Sequence, residues 1–324
     1  MIEVNKRNIR QWSLLGPSGA FGIAAMELAK AYPKVMMLTA DLCFFSGLER
    51  FKSAYPDRLY NFGIAEQNML GAAGGMAKEG FIPFATTYAS FCTSRCADQV
   101  RVNMAYMKLP IKLIGLTAGY GAGILGATHM SIEDCALMRA LPNITVLSPA
   151  DGTEIIKTVV ASAETPDPTY IRLTGPMNLQ IVYQDDYDFQ IGKAVILQKG
   201  IDVCFFATGA VVYQTLRAAE MLKNNGLSCS VLNFHTIKPI DRDAILEADA
   251  IHKLIVTVEE HSVVGGLFGA VAEVVSQENI HRPILPIGIP DTFVKAGSYD
   301  YQIWKSGLNA DAICNKVLNR IQTL

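Results

Sequence analysis

The chain has 324 residues and a formal net charge of −2; 50% of the residues are hydrophobic and 18% are charged. This length and composition predict two domains of ordinary size, with apolar surface left over for a partner subunit. The balanced charge without basic runs argues against nucleic acid as a partner, and the lack of an apolar run of about 18 residues argues against a membrane span.

Strand and helix patterns alternate through the first half of the chain. Apolar runs rich in β-branched residues predict buried strands, and segments of helical period between them predict helices. The predicted strands are 35–39, 111–117, 144–147 and 170–173, and the predicted helices are 20–32, 67–79, 96–106, 131–141 and 153–164. Asp151 and Glu154 are a candidate N-terminal capping pair for the last of these helices. Such alternation predicts a parallel sheet with helices on both faces.

A polar segment without a clear period, 177–190, interrupts this pattern and is typical of a surface linker. A second series follows, with predicted strands at 203–208, 228–234 and 254–259 and predicted helices at 210–224, 241–247 and 264–278. We therefore predict an α/β protein of two three-layer domains. The first spans 1–186 and includes a short linker, and the second spans 187–324.

Seven cysteines are present, an odd number, and none forms a Cys-x-x-Cys pair. An odd count prevents complete internal pairing, and the N-terminal residues contain no apolar signal core. We therefore expect reduced thiols in the core of a cytoplasmic protein.

Glu66 follows a strand-like run and begins a predicted helix that is rich in glycine and alanine. Taken alone, such an acid is typical of the first turn of a helix, where the macrodipole favours negative charge. The helix contains the run Gly-Ala-Ala-Gly-Gly at 71–75, and each glycine lowers its intrinsic stability by about 1 kcal/mol. A helix of this kind is tolerated where another backbone packs very close, which favours a functional role for this acid.

Short motifs in a fixed order resemble the transketolase and deoxyxylulose-phosphate synthase family, which uses thiamine diphosphate. They are Gly-Ile-Ala-Glu-Gln at 63–67, Tyr-Ala-Ser-Phe at 88–91, Asp-Gln-Val-Arg at 98–101, Thr-His-Met-Ser-Ile-Glu-Asp at 128–134, Leu-Pro-Asn at 141–143 and Ser-Pro-Ala-Asp at 148–151. Further similarity lies at 233–241, 259–266 and 288–291. The resemblance implies a thiamine-diphosphate pyrimidine-binding domain followed by a transketolase C-terminal domain.

The resemblance implies that Glu66 is catalytic and hydrogen-bonds the pyrimidine N1′ of thiamine diphosphate. A carboxyl group shielded from water promotes the imino form of the aminopyrimidine, whose nitrogen then takes the proton from thiazolium C2. Tyr88 and Phe91 are implied as the aromatic wall of the pyrimidine, with Phe91 as the stacking residue; core packing is the alternative. Asp41 and Leu42 are implied to lie near the cofactor, and an Asp41 that merely caps a turn is the competing interpretation.

The same resemblance assigns two residues to the substrate. His129 matches the histidine of a Gly-x-Thr-His motif, which contacts a substrate oxygen beside the reacting carbon and can stabilise an alkoxide. Arg172 matches an arginine that binds the substrate phosphate, a role for which a guanidinium is well suited. The role of Arg95 stays open, because the spacing from Phe91 to Asp98 is one residue longer than in many relatives.

Several other polar residues have simpler interpretations. Ser131 and Asp134 are expected as the N-cap and the first-turn acid of the helix at 131–141. His235 and His261 are expected to be structural or interface residues, because no pair of histidines has the spacing of metal ligands.

Departures from the family pattern concern the substrate. Leu125 stands four residues before the motif histidine, where sugar-phosphate transketolases carry an acid that reads a substrate hydroxyl. A basic residue of the family matches Thr117 or Ala118 here, and a phosphate-contacting arginine matches Ser18. Each lost charge-assisted bond removes roughly 1.5–3 kcal/mol. Unless a partner restores these contacts, we expect an atypical donor or acceptor, such as a modified or nucleotide-linked sugar, rather than an ordinary sugar phosphate.

The diphosphate-binding motif of the family, Gly-Asp-Gly, does not occur in this chain. That motif acts through Mg²⁺ (or Ca²⁺ or Mn²⁺), because the diphosphate charge needs a hard cation with oxygen ligands. The glycine-rich stretch 119–123 carries no acid and is interpreted as a flexible loop. The resemblance therefore implies a separate N-terminal subunit that binds the diphosphate and the metal, a heterotetramer with two copies of each chain (α₂β₂), and no metal site on this chain.

The expected reaction is the transfer of a two-carbon ketol unit from a ketose donor to an aldehyde acceptor. Three alternatives stay open: the β subunit of a 2-oxoacid dehydrogenase-type decarboxylase, a deoxyxylulose-phosphate synthase-like enzyme, and a non-catalytic scaffold subunit. The residues flanking Glu66 and the motif at 128–134 favour a transketolase over the decarboxylase. The presence of Tyr88, Phe91 and His129 argues against a scaffold.

Overall fold

The structure is a computed structural model that describes residues 2–324. The strands are β1 Val35–Thr39, β2 Leu59–Asn61, β3 Ile82–Tyr88, β4 Lys112–Ala118, β5 Thr145–Leu147, β6 Thr169–Thr174, β7 Val195–Gln198, β8 Val203–Thr208, β9 Cys229–Asn233, β10 Thr236–Lys238, β11 Leu254–Ser262 and β12 Ile284–Ile289. The α-helices are α1 Lys6–Ala31, α2 Glu49–Ala54, α3 Glu66–Lys78, α4 Ala97–Gln99, α5 Asp134–Ala140, α6 Gly152–Glu164, α7 Val212–Asn224, α8 Arg242–Ile251, α9 Leu267–Val275, α10 Tyr299–Lys305 and α11 Ala310–Ile321.

The strands form two sheets, one of seven strands in the order β10-β5-β6-β4-β3-β1-β2 and one of five in the order β12-β11-β8-β9-β7. Neighbouring strands are parallel except at one edge of each sheet, where β10 is antiparallel to β5 and β7 is antiparallel to β9. The predicted α/β fold class is confirmed. The expectation of a purely parallel sheet is corrected at these two edges.

Both faces of the first sheet are covered, because side chains of β1 that point to opposite faces are buried in two different cores. Val35 and Met37 pack in one core with residues of α1 and α6. Met36 and Leu38 point to the opposite face and pack with residues of α3. Because successive strand residues point to opposite faces, a strand buried at every position reads as a continuous apolar run. The second sheet repeats this arrangement, with α7 and α11 on one face and α8 and α9 on the other.

The first helix is longer than its predicted range of 20–32. It begins at Lys6, with Asn5 as its N-cap. It is interrupted at Gly16, which has a φ of 68° and directly precedes Pro17. Pro17 lacks an amide donor, and a positive φ ends regular helix geometry, so the two halves meet at a kink. The predicted helix corresponds to the second half.

One strand from the predicted second part of the chain, 187–324, belongs to the sheet of the first part, 1–186. β10 comes from the C-terminal part, yet it pairs with β5 through the registers Thr236 with Leu147 and Lys238 with Val146. The division into 1–186 and 187–324 stays a prediction, and the two parts are joined by this edge strand. No helix within residues 2–324 is long and apolar enough to cross a membrane.

Candidate active site

The residues predicted for the cofactor lie at the carboxyl edge of the first sheet. Asp41 follows β1, Glu66 follows β2, Tyr88 ends β3, and His129 lies in the long loop after β4. Because β4, β3, β1 and β2 are neighbours and parallel, their carboxyl ends share one edge. Open α/β sheets bind ligands outside this edge.

Three rings form a cluster at this edge. The ring centroids of Tyr88 and Phe91 are 5.7 Å apart, and His129 lies 5.5 Å from Tyr88 and 5.1 Å from Phe91, all in edge-to-face geometry. Thr128 Oγ1 lies 2.9 Å from Nδ1 of the histidine, and Ser90 Oγ donates to its carbonyl oxygen at 3.4 Å. The structure therefore brings together three of the residues predicted from motifs that are far apart in sequence.

Glu66 is the first residue of α3, and its side chain is only 3% exposed. Its Oε1 accepts a hydrogen bond of 2.6 Å from Nη1 of Arg95, whose side chain is 43% exposed. The same guanidinium lies 3.9 Å from the centroid of the Phe91 ring, and Gln67 Nε2 donates to the Arg95 carbonyl oxygen at 3.1 Å. Arg95, whose role the sequence left open, is thus in direct contact with two of the predicted cofactor residues, Glu66 and Phe91.

A π-helical turn, Phe91–Arg95, brings this arginine to its position. A second π-helical segment, Val100–Tyr106, follows the short helix α4, so the predicted helix 96–106 is largely π-helical. A π turn accommodates one more residue than an α turn and is frequent at functional sites. This turn lies between Phe91 and Asp98, in the segment whose spacing left the role of Arg95 open.

Asp41 connects two of the loops at this edge. It has a left-handed φ of 59°, its amide donates to Asn61 Oδ1 at 2.9 Å, and its Oδ1 accepts from Asn61 Nδ2 at 3.2 Å. Asn61 Oδ1 also accepts from the amide of Gly63 at 3.1 Å, and the amide of Leu42 donates to Thr39 Oγ1 at 3.2 Å. The pair fixes the loop after β1 against the loop that leads to Glu66. Asn61 was not predicted, although it stands only two residues before the first residue of the family motif.

Arg172 does not join this group. It is completely buried, and its Nε and Nη2 donate to the two carboxylate oxygens of Asp134 at 2.8 and 3.0 Å. Nη2 also donates to the Glu260 carbonyl oxygen at 3.0 Å, and Tyr170 donates to Asp134 Oδ2 at 2.7 Å. Its Nη1 is buried without a hydrogen-bond partner in residues 2–324. The unused Nη1 donors of this guanidinium are buried with the rest of the side chain, so the geometry favours a structural role over the predicted phosphate contact.

The contact between Arg172 and Asp134 also lowers the pKa of the aspartate. Burial alone would raise the pKa of Asp134, but the adjacent guanidinium and its hydrogen bonds hold that pKa below its ordinary value. Opposite charges within hydrogen-bond distance favour the charged forms of both partners. The pair is therefore ionised in the interior.

The loop at 119–123, interpreted above as flexible, is fixed by the second sheet. Glu260 in β11 accepts from the amide of Tyr120 at 2.7 Å and from the hydroxyl of Tyr299 at 2.6 Å. The amide of Gly297 donates to the Gly123 carbonyl oxygen at 3.0 Å. Burial raises the pKa of Glu260 to about 7. The interpretation as a flexible loop is wrong, because this loop, which continues to the site histidine, is held by a buried carboxyl group.

The remaining predicted polar residues lie in the interior. Ser131 is not an N-cap: α5 begins at Asp134 with Glu133 at the cap position, and Ser131 pairs with the end of β4. Asp134, Cys135 and His261 have candidate ligand atoms within 4.8 Å of one another. Burial lowers the pKa of His261 to about 4, and the carboxylate is already paired with a guanidinium. This arrangement fits a packed core better than a cation site.

Comparison with known proteins assigns the chain to a family. Residues 17–177 match the transketolase pyrimidine binding domain, and residues 192–313 match the transketolase C-terminal domain. A protein of Methanocaldococcus jannaschii described as a putative transketolase C-terminal section is 37% identical over 309 residues, which cover 95% of this chain and 96% of that protein. The chain belongs to the transketolase family.

Further relatives identify the part of a transketolase that it represents. The "6-deoxy-6-sulfo-D-fructose transketolase subunit SqwH" of Clostridium sp. (strain MSTE9) is 38% identical over 288 residues, which cover 89% of each chain. A solved structure described as a split gene transketolase, an inactive beta4 tetramer, has a TM-score of 0.85 and 37% identity, and the match covers 94% of this chain and 97% of that one. Of one matching 1-deoxy-D-xylulose-5-phosphate synthase, by contrast, the chain spans 49%. The predicted C-terminal subunit of a split transketolase is confirmed.

Proposed function

We propose that this chain supplies the pyrimidine-binding half of a thiamine-diphosphate-dependent active site, with Glu66 as its catalytic acid–base group. The supporting observation is the 2.6 Å pairing of this buried carboxylate with a guanidinium whose Cζ lies over the Phe91 ring, 3.9 Å from its centroid. A guanidinium is planar, and it donates N–H groups in its own plane. The space over the Phe91 ring and beside Glu66 thus accepts a flat, hydrogen-bonding group. The aminopyrimidine of thiamine diphosphate has these properties.

Thiamine diphosphate, when bound, supplies the carbanion chemistry of ketol transfer. Glu66 contributes a carboxyl group that α3 holds in place and that is shielded from water, so that it shares a proton with a ring nitrogen rather than with solvent. Phe91 and Tyr88 orient the ring by stacking and edge contacts. Asp41, through Asn61, fixes the loop that leads to the carboxylate.

His129 is the proposed contact to substrate oxygen. Thr128 Oγ1 lies 2.9 Å from its Nδ1, and its Nε2 makes no hydrogen bond within residues 2–324. A hydroxyl that accepts from Nδ1–H would leave Nε2 without a proton, whereas a hydroxyl that donates to Nδ1 leaves Nε2–H free for a developing alkoxide. We propose the second arrangement for the substrate-bound enzyme.

Exposed apolar side chains at the same edge support a partner subunit. These residues lie in the loops after β1, β2 and β4, and they are Phe44 (67% exposed), Phe45 (58%), Ile64 (79%), Ile124 (75%) and Leu125 (47%). In addition, a Cβ added at Gly71 or Gly75 of α3 would meet no atom of this chain within 4 Å, so a backbone that packs there belongs to another chain. We propose that the diphosphate-binding subunit covers this surface in an α₂β₂ heterotetramer and carries the Mg²⁺ (or Ca²⁺ or Mn²⁺).

The substrate is proposed to be a ketose–aldehyde pair in which at least one sugar is atypical. Leu125 occupies the position of a hydroxyl-reading acid and is half exposed. The buried Arg172 leaves one fewer cation for a phosphate than the sequence predicted. The Clostridium relative is named for a sulfonated sugar, which is an example of a modified terminus. A sugar with a modified or nucleotide-linked end fits this surface better than an ordinary ketose phosphate.

The other enzyme functions receive less support. A deoxyxylulose-phosphate synthase is about twice as long as the matched region, and the relatives described above are split transketolases rather than β subunits of 2-oxoacid dehydrogenases. A cytoplasmic location is proposed from the cysteines, six of which are buried free thiols. Fractionation of cells that produce a tagged chain tests this location.

The function is tested by co-expression of the chain with the product of its neighbouring gene. The purified complex is expected to transfer ketol units from a panel of ordinary and modified ketoses, only when thiamine diphosphate is present. Each chain alone is expected to be inactive, and Glu66→Ala in the complex should abolish turnover. Glu220→Ala is the matched control, because this glutamate is 71% exposed on the second domain. Substantial activity of the Glu66→Ala complex would defeat the proposal, and failure on every modified sugar would defeat the substrate class.

A further inference from the structure

Arg95 occupies the two contacts that the proposed function gives to the cofactor. Its guanidinium carbon lies over the Phe91 ring, 3.9 Å from the centroid, so the two groups are in van der Waals contact. The same group donates a 2.6 Å hydrogen bond to Glu66 Oε1. No second flat group fits between a ring and a guanidinium at this separation.

We propose that the Arg95 side chain is an internal stand-in for the pyrimidine ring: it occupies the ring's position before the cofactor binds and is displaced when the cofactor enters. The inference rests on the proposed function. It assigns a regulatory role in cofactor binding to a residue whose spacing in the sequence departs from the family pattern.

Before the cofactor binds, Arg95 neutralises the buried carboxylate of Glu66 in the separate subunit. Glu66 is 3% exposed, and a buried carboxylate without a cation is costly to keep in the folded chain. Arg95 supplies the cation until the partner chain and the cofactor arrive. The pair therefore lets the subunit fold and persist with its catalytic carboxyl group already in position.

The geometry also allows the arginine to leave. Its side chain is 43% exposed, so water can solvate the guanidinium as it rotates away from the ring. The Arg95 backbone is held independently, since Gln67 Nε2 donates to its carbonyl oxygen at 3.1 Å. Displacement then needs new side-chain rotamers but no movement of the π-helical turn, and it is fast on the timescale of cofactor binding.

The need to displace Arg95 should weaken the binding of thiamine diphosphate by a measurable amount. A ligand that binds only the state with Arg95 swung out has an apparent dissociation constant larger than its intrinsic value by the inverse of that state's population. Removing the competing guanidinium should therefore tighten binding of thiamine diphosphate. Partly exposed ion pairs are weak, so the expected gain is about three- to tenfold.

The test titrates thiamine diphosphate into the purified two-chain complex by isothermal calorimetry. Arg95→Gln should bind it about three- to tenfold more tightly than the wild type, and Arg95→Lys, which keeps the charge but loses the planar stack, should lie between them. Arg217→Gln is the control, because this arginine is 57% exposed and pairs with Glu220 far from the site; its affinity should not change. Unchanged or weaker binding by Arg95→Gln overturns the inference. A wild-type complex that binds no thiamine diphosphate would instead contradict the proposed function itself.

A second measurement is independent of absolute affinities. In the Arg95→Ala complex, methylguanidinium at millimolar concentration should occupy the vacated position and raise the apparent dissociation constant of thiamine diphosphate. The same additive should have no effect on the wild type, whose own guanidinium already fills the position. Circular dichroism identifies a variant that has unfolded, and Arg95→Gln, which also removes the cation, then replaces it in the same titration. Absence of competition in a folded variant overturns the stand-in role.

Discussion

Two arginine–carboxylate pairs of this chain have similar lengths and opposite surroundings. Arg95 meets Glu66 at 2.6 Å at the open edge of the first sheet, and its side chain is 43% exposed. Arg172 meets Asp134 at 2.8 Å between the two sheets, where both side chains are 0% exposed. A charge that stays in contact with water can change partners at little cost, whereas a fully buried charge depends on the partner it has.

The pairs also differ in how many bonds hold the arginine. The buried guanidinium gives two bonds to one carboxylate and a third to a carbonyl oxygen of β11, so it ties the second sheet to the first. The exposed guanidinium gives one charge-assisted bond and rests on an aromatic ring. The same residue types therefore form a structural tie in the interior and an exchangeable contact at the site.

The largest expected effect follows from removing the buried carboxylate. Asp134→Asn leaves Arg172 charged in the interior without a counter-ion, and we expect it to lower the free energy of unfolding by about 3–5 kcal/mol. Urea denaturation followed by circular dichroism measures this loss. The isosteric replacement Glu66→Gln leaves an arginine that water can solvate, so its cost should stay within about 1 kcal/mol.

Glu220→Gln serves as the control for both variants, because its pair with Arg217 is exposed on both sides. Its free energy of unfolding should equal that of the wild type within about 0.5 kcal/mol. Equal losses for Asp134→Asn and Glu66→Gln would remove the distinction between the two pairs.

A smaller effect is expected in the interior region, where Glu260 should make the free energy of unfolding depend on pH. Burial raises the pKa of Glu260 from 4.5 to about 7. A pKa raised in the folded state adds stability that is complete below pH 4.5 and is lost as the pH rises through about 7. Glu260→Gln lacks this contribution, so its free energy of unfolding should fall less over that window, by on the order of 1–3 kcal/mol.

The difference between the wild type and Glu260→Gln isolates this group from others that titrate nearby. Burial lowers the pKa of His235 and of His261 to about 4, and these contributions are present above pH 6.5 and lost toward pH 4 in both proteins. Denaturation curves at several pH values provide the comparison. Parallel pH profiles of the two proteins would mean that Glu260 does not titrate in this window.

The smallest expected effect concerns Leu125, at the edge of the first sheet that we propose the partner subunit covers. Leu125→Asp restores an acid at the hydroxyl-reading position and should raise the ratio of kcat/KM for an ordinary ketose phosphate over a modified sugar by roughly tenfold, about one charge-assisted bond. The thermal stability of the separate chain should change little, because the side chain is 47% exposed there. Ile124→Asp, at a neighbouring residue that is 75% exposed, is the control and should leave the ratio unchanged. An equal shift in both variants would attribute the change to charge alone.

The sequence predicted the strands whose signal is local. β1 and β8 have the bounds that were predicted, since each is an unbroken run of apolar residues ending in threonine. β3 was not predicted, because Pro83, Thr86 and Thr87 interrupt its apolar pattern, although all three are buried in the centre of the sheet. Also missed were β7, β10 and β12 and the helices α2, α10 and α11, and the run before Glu66 that contains β2 was described only as strand-like, without bounds. For β10, a three-residue strand, the deciding interaction is with a partner about ninety residues earlier.

The candidate site was predicted to a similar extent. Motif positions identified Glu66, Phe91 and His129, and the structure brings the two rings together and links the carboxylate to Phe91 through a guanidinium. The part played by Arg95 could not be predicted, because it depends on a π-helical turn that has no simple sequence signature. The motif match of Arg172 gave no information on its burial, which depends on residues from α5 and β11.

We propose that Glu66 activates the cofactor from the position in which Arg95 holds it in the separate chain. The direct measurement is the rate at which the two-chain complex exchanges the thiazolium C2 proton of thiamine diphosphate for deuterium, followed by quenched flow and NMR. We expect Glu66→Gln to slow this exchange at least about 100-fold while thiamine diphosphate remains bound, because general acid–base catalysis contributes effects of this size. Exchange at the wild-type rate in that variant would contradict the account.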